Sequence, residues 1–295
     1  MNRRELLAAS AGALLLRTTG GQSDRRTVGQ TSVLGPQSSA LNPHLKQSVS
    51  YWPFERMPLA EFARAARNIG LVAIDLLQPE QWPVVADAGL ACSMGYPTAR
   101  RDFIATGFND PANHAMLLRE LEAAIPLAAS SGVPNVIAMF GNRRGRSDEV
   151  GAVACIEGLS RIKALAEQER VTVCVELLNS RVDHADYMGD RTTFGARVIR
   201  AVDSPRVKLL YDIYHMQIME GDVIRTIRDH AKEIGHYHTG GVPGRHEIDD
   251  TQELNYRAVC QAIVGTGFTG YLAHEFEPAR EPLTSLRQAY EICRV

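Results

Sequence analysis

The chain has 295 residues, of which 45% are hydrophobic and 22% charged, with a formal net charge of −2. This composition excludes intrinsic disorder, a collagen-like repeat and a disulfide-stapled miniprotein, and the length is enough to bury a core of domain size. The near-neutral balance offers no electrostatic footprint for nucleic acid or an anionic membrane, which leaves small neutral or acidic metabolites as ligands.

The first element is unlike the rest. Arg3 and Arg4 precede a short apolar run, Leu6–Leu16. That is a charged start followed by a signal-type stretch too short to span a bilayer, and paired arginines at this place point to the twin-arginine route. Residues 1–25 are therefore expected to be a signal peptide, directing the mature protein to the periplasm or the medium. Residues 26–44, rich in Gly, Ser, Thr, Gln and Arg, are expected to be a flexible leader. No cysteine follows the apolar run, so a lipid anchor is excluded. No later stretch approaches the roughly 20 apolar residues of a membrane span, so no membrane contact is expected of the mature form.

From Leu45 onward, short apolar runs alternate with helical patterns. The expected strands are Lys46–Tyr51, Leu71–Leu77, Leu90–Tyr96, Asn135–Phe140, Val171–Leu177, Val207–Ile213, Ile234–Thr239 and Thr269–Phe276. Each is continuous rather than alternating, as parallel strands buried on both faces should be. Between them lie helix patterns: one opening at Pro58 and closed by Gly70, then Asn113–Ala129, Ser147–Glu169, Asp222–His230 and Asn255–Val264. Eight such units in about 250 residues predict an α/β fold of the (β/α)8 TIM barrel type over residues 45–295. An open doubly wound sheet is the alternative, because rhythm alone does not show closure.

Cys92, Cys155, Cys174, Cys260 and Cys293 form no CxxC pair and are expected to be buried free thiols. Gly265–Gly270 matches GxGxxG, but a helix runs into it and a strand follows, the reverse of the dinucleotide-binding order. It reads as a helix end and tight turn. No Walker loop, HExxH or GxSxG is present.

The later strands share one feature. The fifth ends on Glu176, the sixth on Asp212, the seventh on His238 and the eighth on Glu275. These residues are spaced by about one β/α unit each, so a barrel brings all four to the rim where such enzymes carry their active sites. Three buried carboxylates would repel one another and resist ionisation. A divalent cation relieves that cost, and oxygen ligands with one imidazole suit Mg²⁺, Mn²⁺ or Co²⁺, and zinc less exclusively. Around them, His215 lies three residues past Asp212, in the loop after the sixth strand. Arg245 is presented by the tight loop Gly240–Glu247 and suits a planar carboxylate or an enediolate oxygen. Taken alone, His215 is equally a surface histidine and Arg245 equally a salt-bridge partner of Glu247 or Asp249.

At these residues the sequence resembles the hydroxypyruvate isomerases, within the xylose isomerase-like TIM barrel sugar isomerases and epimerases. Tyr211–Asp222 (YDIYHMQIMEGD) looks like their signature, Val242–Glu247 like the loop that follows it, and Gly270–Pro278 like their last strand; Glu176–Asn179 resembles their fifth-strand end. The resemblance covers residues 45–295 and is strongest from Glu176 to Pro278. It implies that Glu176, Asp212, His238 and Glu275 bind the metal, that Glu176 and Glu275 also serve as the acid/base pair, and that His215 and Arg245 contact substrate. One departure bears on substrate: that family often has glutamine where this chain has His238, whereas its ketose epimerases have histidine.

The expected activity is metal-dependent isomerisation of hydroxypyruvate to tartronate semialdehyde, or of a related small hydroxy-carbonyl or sugar substrate. A ketose 3-epimerase of the same group is the alternative, since both reactions remove a proton alpha to a carbonyl. A barrel endonuclease would need more histidines and a basic groove. A non-catalytic sugar-binding protein would be marked by a lost glutamate, and both are present. A homo-oligomer is left open.

Overall fold

A computed structural model describes residues 45–295, so the expected signal peptide and leader, including Arg3 and Arg4, lie outside the described residues. Eight parallel strands close on themselves in sequence order. They are β1 (Lys46–Ser50), β2 (Ala73–Leu77), β3 (Ala91–Gly95), β4 (Asn135–Met139), β5 (Thr172–Leu177), β6 (Val207–Asp212), β7 (Ile234–Thr239) and β8 (Tyr271–His274). β8 pairs with β1 to complete the ring, which settles the choice between barrel and open sheet. Among the described residues, no helix is long and apolar enough to cross a membrane.

The helices pack outside the ring. They are α1 (Leu59–Ile69), α2 (Trp82–Asp87), α3 (Pro111–Ser130), α4 (Asp148–Glu169), α5 (Thr192–Val202), α6 (Ile213–Met219), α7 (Val223–Asp229), α8 (Tyr256–Gly265) and α9 (Pro282–Cys293). Their ends follow local chemistry. Asp110 caps α3, with Pro111 at its first turn; the Ser147 hydroxyl caps α4, and the Asn255 amide caps α8. Gly70, at φ +117°, closes α1. Four of these helices, α2, α5, α6 and α9, are not among the expected ones. α5 opens with two threonines and carries Gly195 inside, all poor helix formers, and is held by packing. A Cβ on Gly195 would stand 2.9 Å from both Leu177 and Leu209, so this helix lies directly on β5 and β6.

All five cysteines are buried and free. The barrel interior, by contrast, is partly polar: Ser48, Ser50, Asp75, Ser93, His236 and His238 are fully buried.

Two local features shape the rim. Leu76 adopts φ +54°, and the β2–β3 register shifts beside it. That bulge turns a side chain that regular alternation would aim outward into the cavity above the barrel. The loop after β3 also lies against the end of β4, through Phe108 N–H to the Met139 carbonyl (3.1 Å) and Asn109 N–H to the Phe140 carbonyl (2.9 Å). The approach is possible because residue 107 is glycine; a Cβ there would sit 2.2 Å from the Phe140 carbonyl carbon. Gly107→Ala should therefore destabilise the protein by about 1–3 kcal/mol through overpacking. Gly265→Ala, where a Cβ meets open space, should stay within about 0.5 kcal/mol of wild type. Denaturant midpoints check both, and equal midpoints for the two variants would contradict the close-approach argument.

Candidate active site

Each of the four strand-end residues owes its place to barrel register. Asp212 on β6 stands directly across from His238 on β7. Glu176 is the penultimate residue of β5, and Glu275 follows β8, its N–H bonded to the Thr239 carbonyl at 2.9 Å. All four are buried, and one ligand-capable atom from each lies within 4.8 Å of the others. His238 Nδ1 is 2.7 Å from Glu275 Oε2, 3.6 Å from Glu176 Oε1 and 4.0 Å from Asp212 Oδ2. The sequence-derived set is thus brought together in full.

The electrostatics show what such a cluster costs. Burial, with the Glu275 charge added, pushes the Glu176 carboxyl up. Burial also takes Asp212 up to about 7, helped by the charges of Glu275 and Glu176 and opposed by Arg245 and His238. Glu275 goes the other way: burial is outweighed by His238, Arg245 and the Trp52 hydrogen bond, and the carboxyl is held well below its usual range. Burial resists charging His238, but Glu275, Asp75 and Glu176 overcome it and raise the imidazole well above its ordinary value. An imidazolium and a guanidinium thus supply the positive charge that three converging carboxylates require. A divalent cation fits the same place. Asp212 Oδ2 is buried, has no hydrogen-bond partner and faces the cluster, and the donor set of three carboxylates and one imidazole matches a hard or borderline cation.

His215 requires a correction. It lies in the first turn of α6 rather than in a loop, its backbone N–H bonded to Asp212 Oδ1 at 3.2 Å. Asp212 thereby caps the helix with one oxygen and leaves the other for the cluster. The Asn179 amide donates to His215 Nδ1 at 2.7 Å, which puts the ring proton on Nε2. Burial, followed by the nearby Arg245 charge, holds this histidine neutral, its pKa well below the usual value. Its Nε2–H has no partner and lies 3.6 Å from Asp212 Oδ2 in the cavity wall, a donor ready for a ligand oxygen.

Arg245 pairs with neither Glu247 nor Asp249. Those two carboxylates serve the loop after β8, where Arg280 pairs with both. Arg245 instead reaches inward. Its Nη2 is 2.7 Å from Glu275 Oε2 and 3.5 Å from Asp212 Oδ2, and its guanidinium lies between the rings of Trp52 and Tyr214, at 5.2 and 5.3 Å. Such a clamped guanidinium keeps only part of its fork free for a ligand.

Three residues of this site were not found in the sequence. Trp52 donates its indole N–H to Glu275 Oε1 at 2.7 Å. Asn179 orients His215. Asp75 bonds to His238 from the opposite side at 2.8 Å. Asp75 left a signal as an acidic residue inside the apolar run Ala73–Leu77, and Asn179 as the last residue of the segment Glu176–Asn179, which carried the resemblance but no role for the asparagine. Above the cluster opens a cavity of about 440 Å³, walled by Trp52, Leu76, Tyr96, Arg101, Met139 and His184 among others.

Comparison with known proteins agrees with this architecture. The hydroxypyruvate isomerase of Escherichia coli (strain K12) is 27% identical over 205 residues, covering 68% of this chain and 71% of that one. The 2-oxo-tetronate isomerase of Cupriavidus necator is 34% identical over 123 residues, 42% of this chain and 46% of its own. Among solved structures, an AP endonuclease, family 2, from Brucella melitensis superposes with a TM-score of 0.76 at 21% identity, over 84% of this chain and 98% of the other; that likeness shows the fold alone. The sequence model of the xylose isomerase-like TIM barrel matches residues 34–294. A match along nearly the whole chain goes beyond a shared motif or a shared topology, and the protein belongs to the xylose isomerase-like TIM barrel family.

Proposed function

We propose that this protein is a divalent-metal-dependent isomerase that interconverts hydroxypyruvate and tartronate semialdehyde, or acts on a closely related small hydroxy-carbonyl substrate. That it is an isomerase follows from its relatives, which carry isomerase names. The observation that carries the finer reading is the buried cluster of Glu176, Asp212, His238 and Glu275 at the floor of an open cavity.

The chemistry is proton transfer alpha to a carbonyl. That proton is weakly acidic, so charge developing on the substrate oxygens must be stabilised. A cation held by the four residues would supply Lewis acidity toward those oxygens. The remaining work belongs to side chains. Glu275, hydrogen-bonded by Trp52 and Arg245 at the cavity floor, is the group that accepts the proton, and Glu176, on the far side of the cluster, is the one that returns it. The His215 Nε2–H donates to a substrate oxygen, and Arg245 turns the free part of its guanidinium toward a substrate carboxylate.

A second reading is favoured by the cavity. About 440 Å³ lies in the range that encloses ligands much larger than a three-carbon acid. Together with histidine at position 238, this supports a ketose 3-epimerase, in which the same residues return the proton to the opposite face. Values of kcat/KM for hydroxypyruvate, fructose, psicose and tagatose separate the two. Hydroxypyruvate should lead. Arg245→Lys should lower every rate by loosening Glu275, and should lower the acid by roughly a further tenfold or more through loss of a charged hydrogen bond. Ketose turnover well above hydroxypyruvate turnover would overturn the first reading in favour of the second.

A further inference from the structure

On the side of His238 away from the carboxylates sits Asp75. It occupies the middle of β2 and is wholly buried, in a barrel whose other inward layers hold no lysine or arginine paired with it among the described residues. Its Oδ2 is 2.8 Å from His238 Nε2. Its Oδ1 accepts a hydrogen bond from the Ser93 hydroxyl on β3 and stands 3.3 Å from His236 Nε2. A carboxylate placed this deep is costly unless it is paired, and its charged-partner candidates are two imidazoles of β7. A well-packed apolar residue would serve the barrel at least as well, so the carboxylate asks for a functional reason.

The reason lies in the two nitrogens of one ring. Nδ1 of His238 faces Glu176, Asp212 and Glu275. To ligate a cation it must present a lone pair there, which requires the ring proton to sit on Nε2 and the ring to keep its orientation. An acceptor beyond Nε2 meets both demands. We propose that Asp75 is a positioning residue that holds the Nε2–H of His238, so that Nδ1 is presented to the cation shared with Glu176, Asp212 and Glu275, and that Ser93 fixes Asp75 in turn. This rests on the metal-site reading above and adds to it the ligating nitrogen and a residue about 160 positions distant in sequence.

Asp75→Asn tests it, because the side chain is nearly isosteric. The Ser93 hydroxyl would continue to donate to the amide oxygen, which turns the amide NH₂ toward His238 Nε2. A donor there forces the ring proton onto Nδ1, the nitrogen the metal needs bare. The measurement is Mn²⁺ binding by calorimetry to metal-stripped protein, beside the thermal midpoint without metal. Wild type should bind one ion; if it binds none, the metal-site reading itself falls, which no result on the variant alone would imply. Asp75→Asn should bind roughly 10–100-fold more weakly, the usual effect of losing a partner behind a metal-bound histidine, while a cooperative metal-free unfolding transition shows that the variant still folds. Adding Ser93→Ala frees the amide to turn its oxygen to Nε2 and should restore part of the affinity. Wild-type affinity in Asp75→Asn, or a loss that Ser93→Ala does not relieve, would overturn the proposal. Should the variant not fold, long-range ¹H–¹⁵N spectra of Zn²⁺-loaded wild type decide instead: Nδ1 metal-bound and Nε2 protonated is expected, and the reverse contradicts it.

Discussion

Glu275→Gln should lower kcat by about 10²-fold or more at saturating metal, the scale on which enzymes lose a positioned general base. The surroundings make this substitution severe. Both oxygens of Glu275 face donors: Oε1 takes the Trp52 indole N–H, and Oε2 takes an Arg245 N–H. A glutamine must point its NH₂ at one set or the other, leaving a buried donor against donors. Metal affinity should fall with it, so rates must be compared at metal saturation. Exchange of the substrate's alpha hydrogen with deuterated solvent isolates the proton step from turnover and should fall in parallel. Wild-type exchange in Glu275→Gln would place the base on another residue.

Exhaustive chelation should abolish activity, and Mg²⁺, Mn²⁺ or Co²⁺ should restore it. Stability should follow. An ion present at 1,000 times its Kd adds about 4 kcal/mol to the folded state. For a domain of this size that is on the order of 10 °C in thermal midpoint. The pH dependence has a defined sign. His238 holds its proton more tightly than an ordinary histidine, so protons compete with the metal at and below neutral pH, and affinity should strengthen as pH rises through the raised value. Burial of Asp212, which pushes its carboxyl up to about 7, adds to the same trend. Full activity after chelation would remove the cation from the account, and an affinity independent of pH between 6 and 9 would remove the proton competition at His238 and Asp212.

The ligand set was legible in the sequence for a physical reason: a parallel barrel brings every strand end to one rim, so chain spacing alone places Glu176, Asp212, His238 and Glu275 together. What could not be read is what crosses the ring. His238 meets Asp75 across 163 residues and Glu275 meets Trp52 across 223, and those meetings depend on strand stagger and on a bulge at Leu76 rather than on any local pattern. His215 was misplaced because α6 begins within one residue of the strand, leaving no loop for polar punctuation to mark. The role of Arg245 was half legible. Its glycine-rich loop was evident, but its grip on Glu275 was not, since that contact joins the loop after one strand to the end of the next, 30 residues on.

The seam between β8 and β1 ties the assembly of this site to the order in which the chain is made. A nascent chain that has emerged through β7 already owns Trp52, Asp75, Glu176, Asp212 and His238, yet its first and seventh strands are still open edges. Tyr271–His274 fills the gap, and the very next residue is Glu275, which takes the hydrogen bond from Trp52 at the other end of the ring. Topological closure and completion of the ligand set are therefore one event, and it comes last. Until it happens, the cluster lacks its lowest-pKa carboxylate, so a half-made chain offers passing cations a poor site and the finished one a good one.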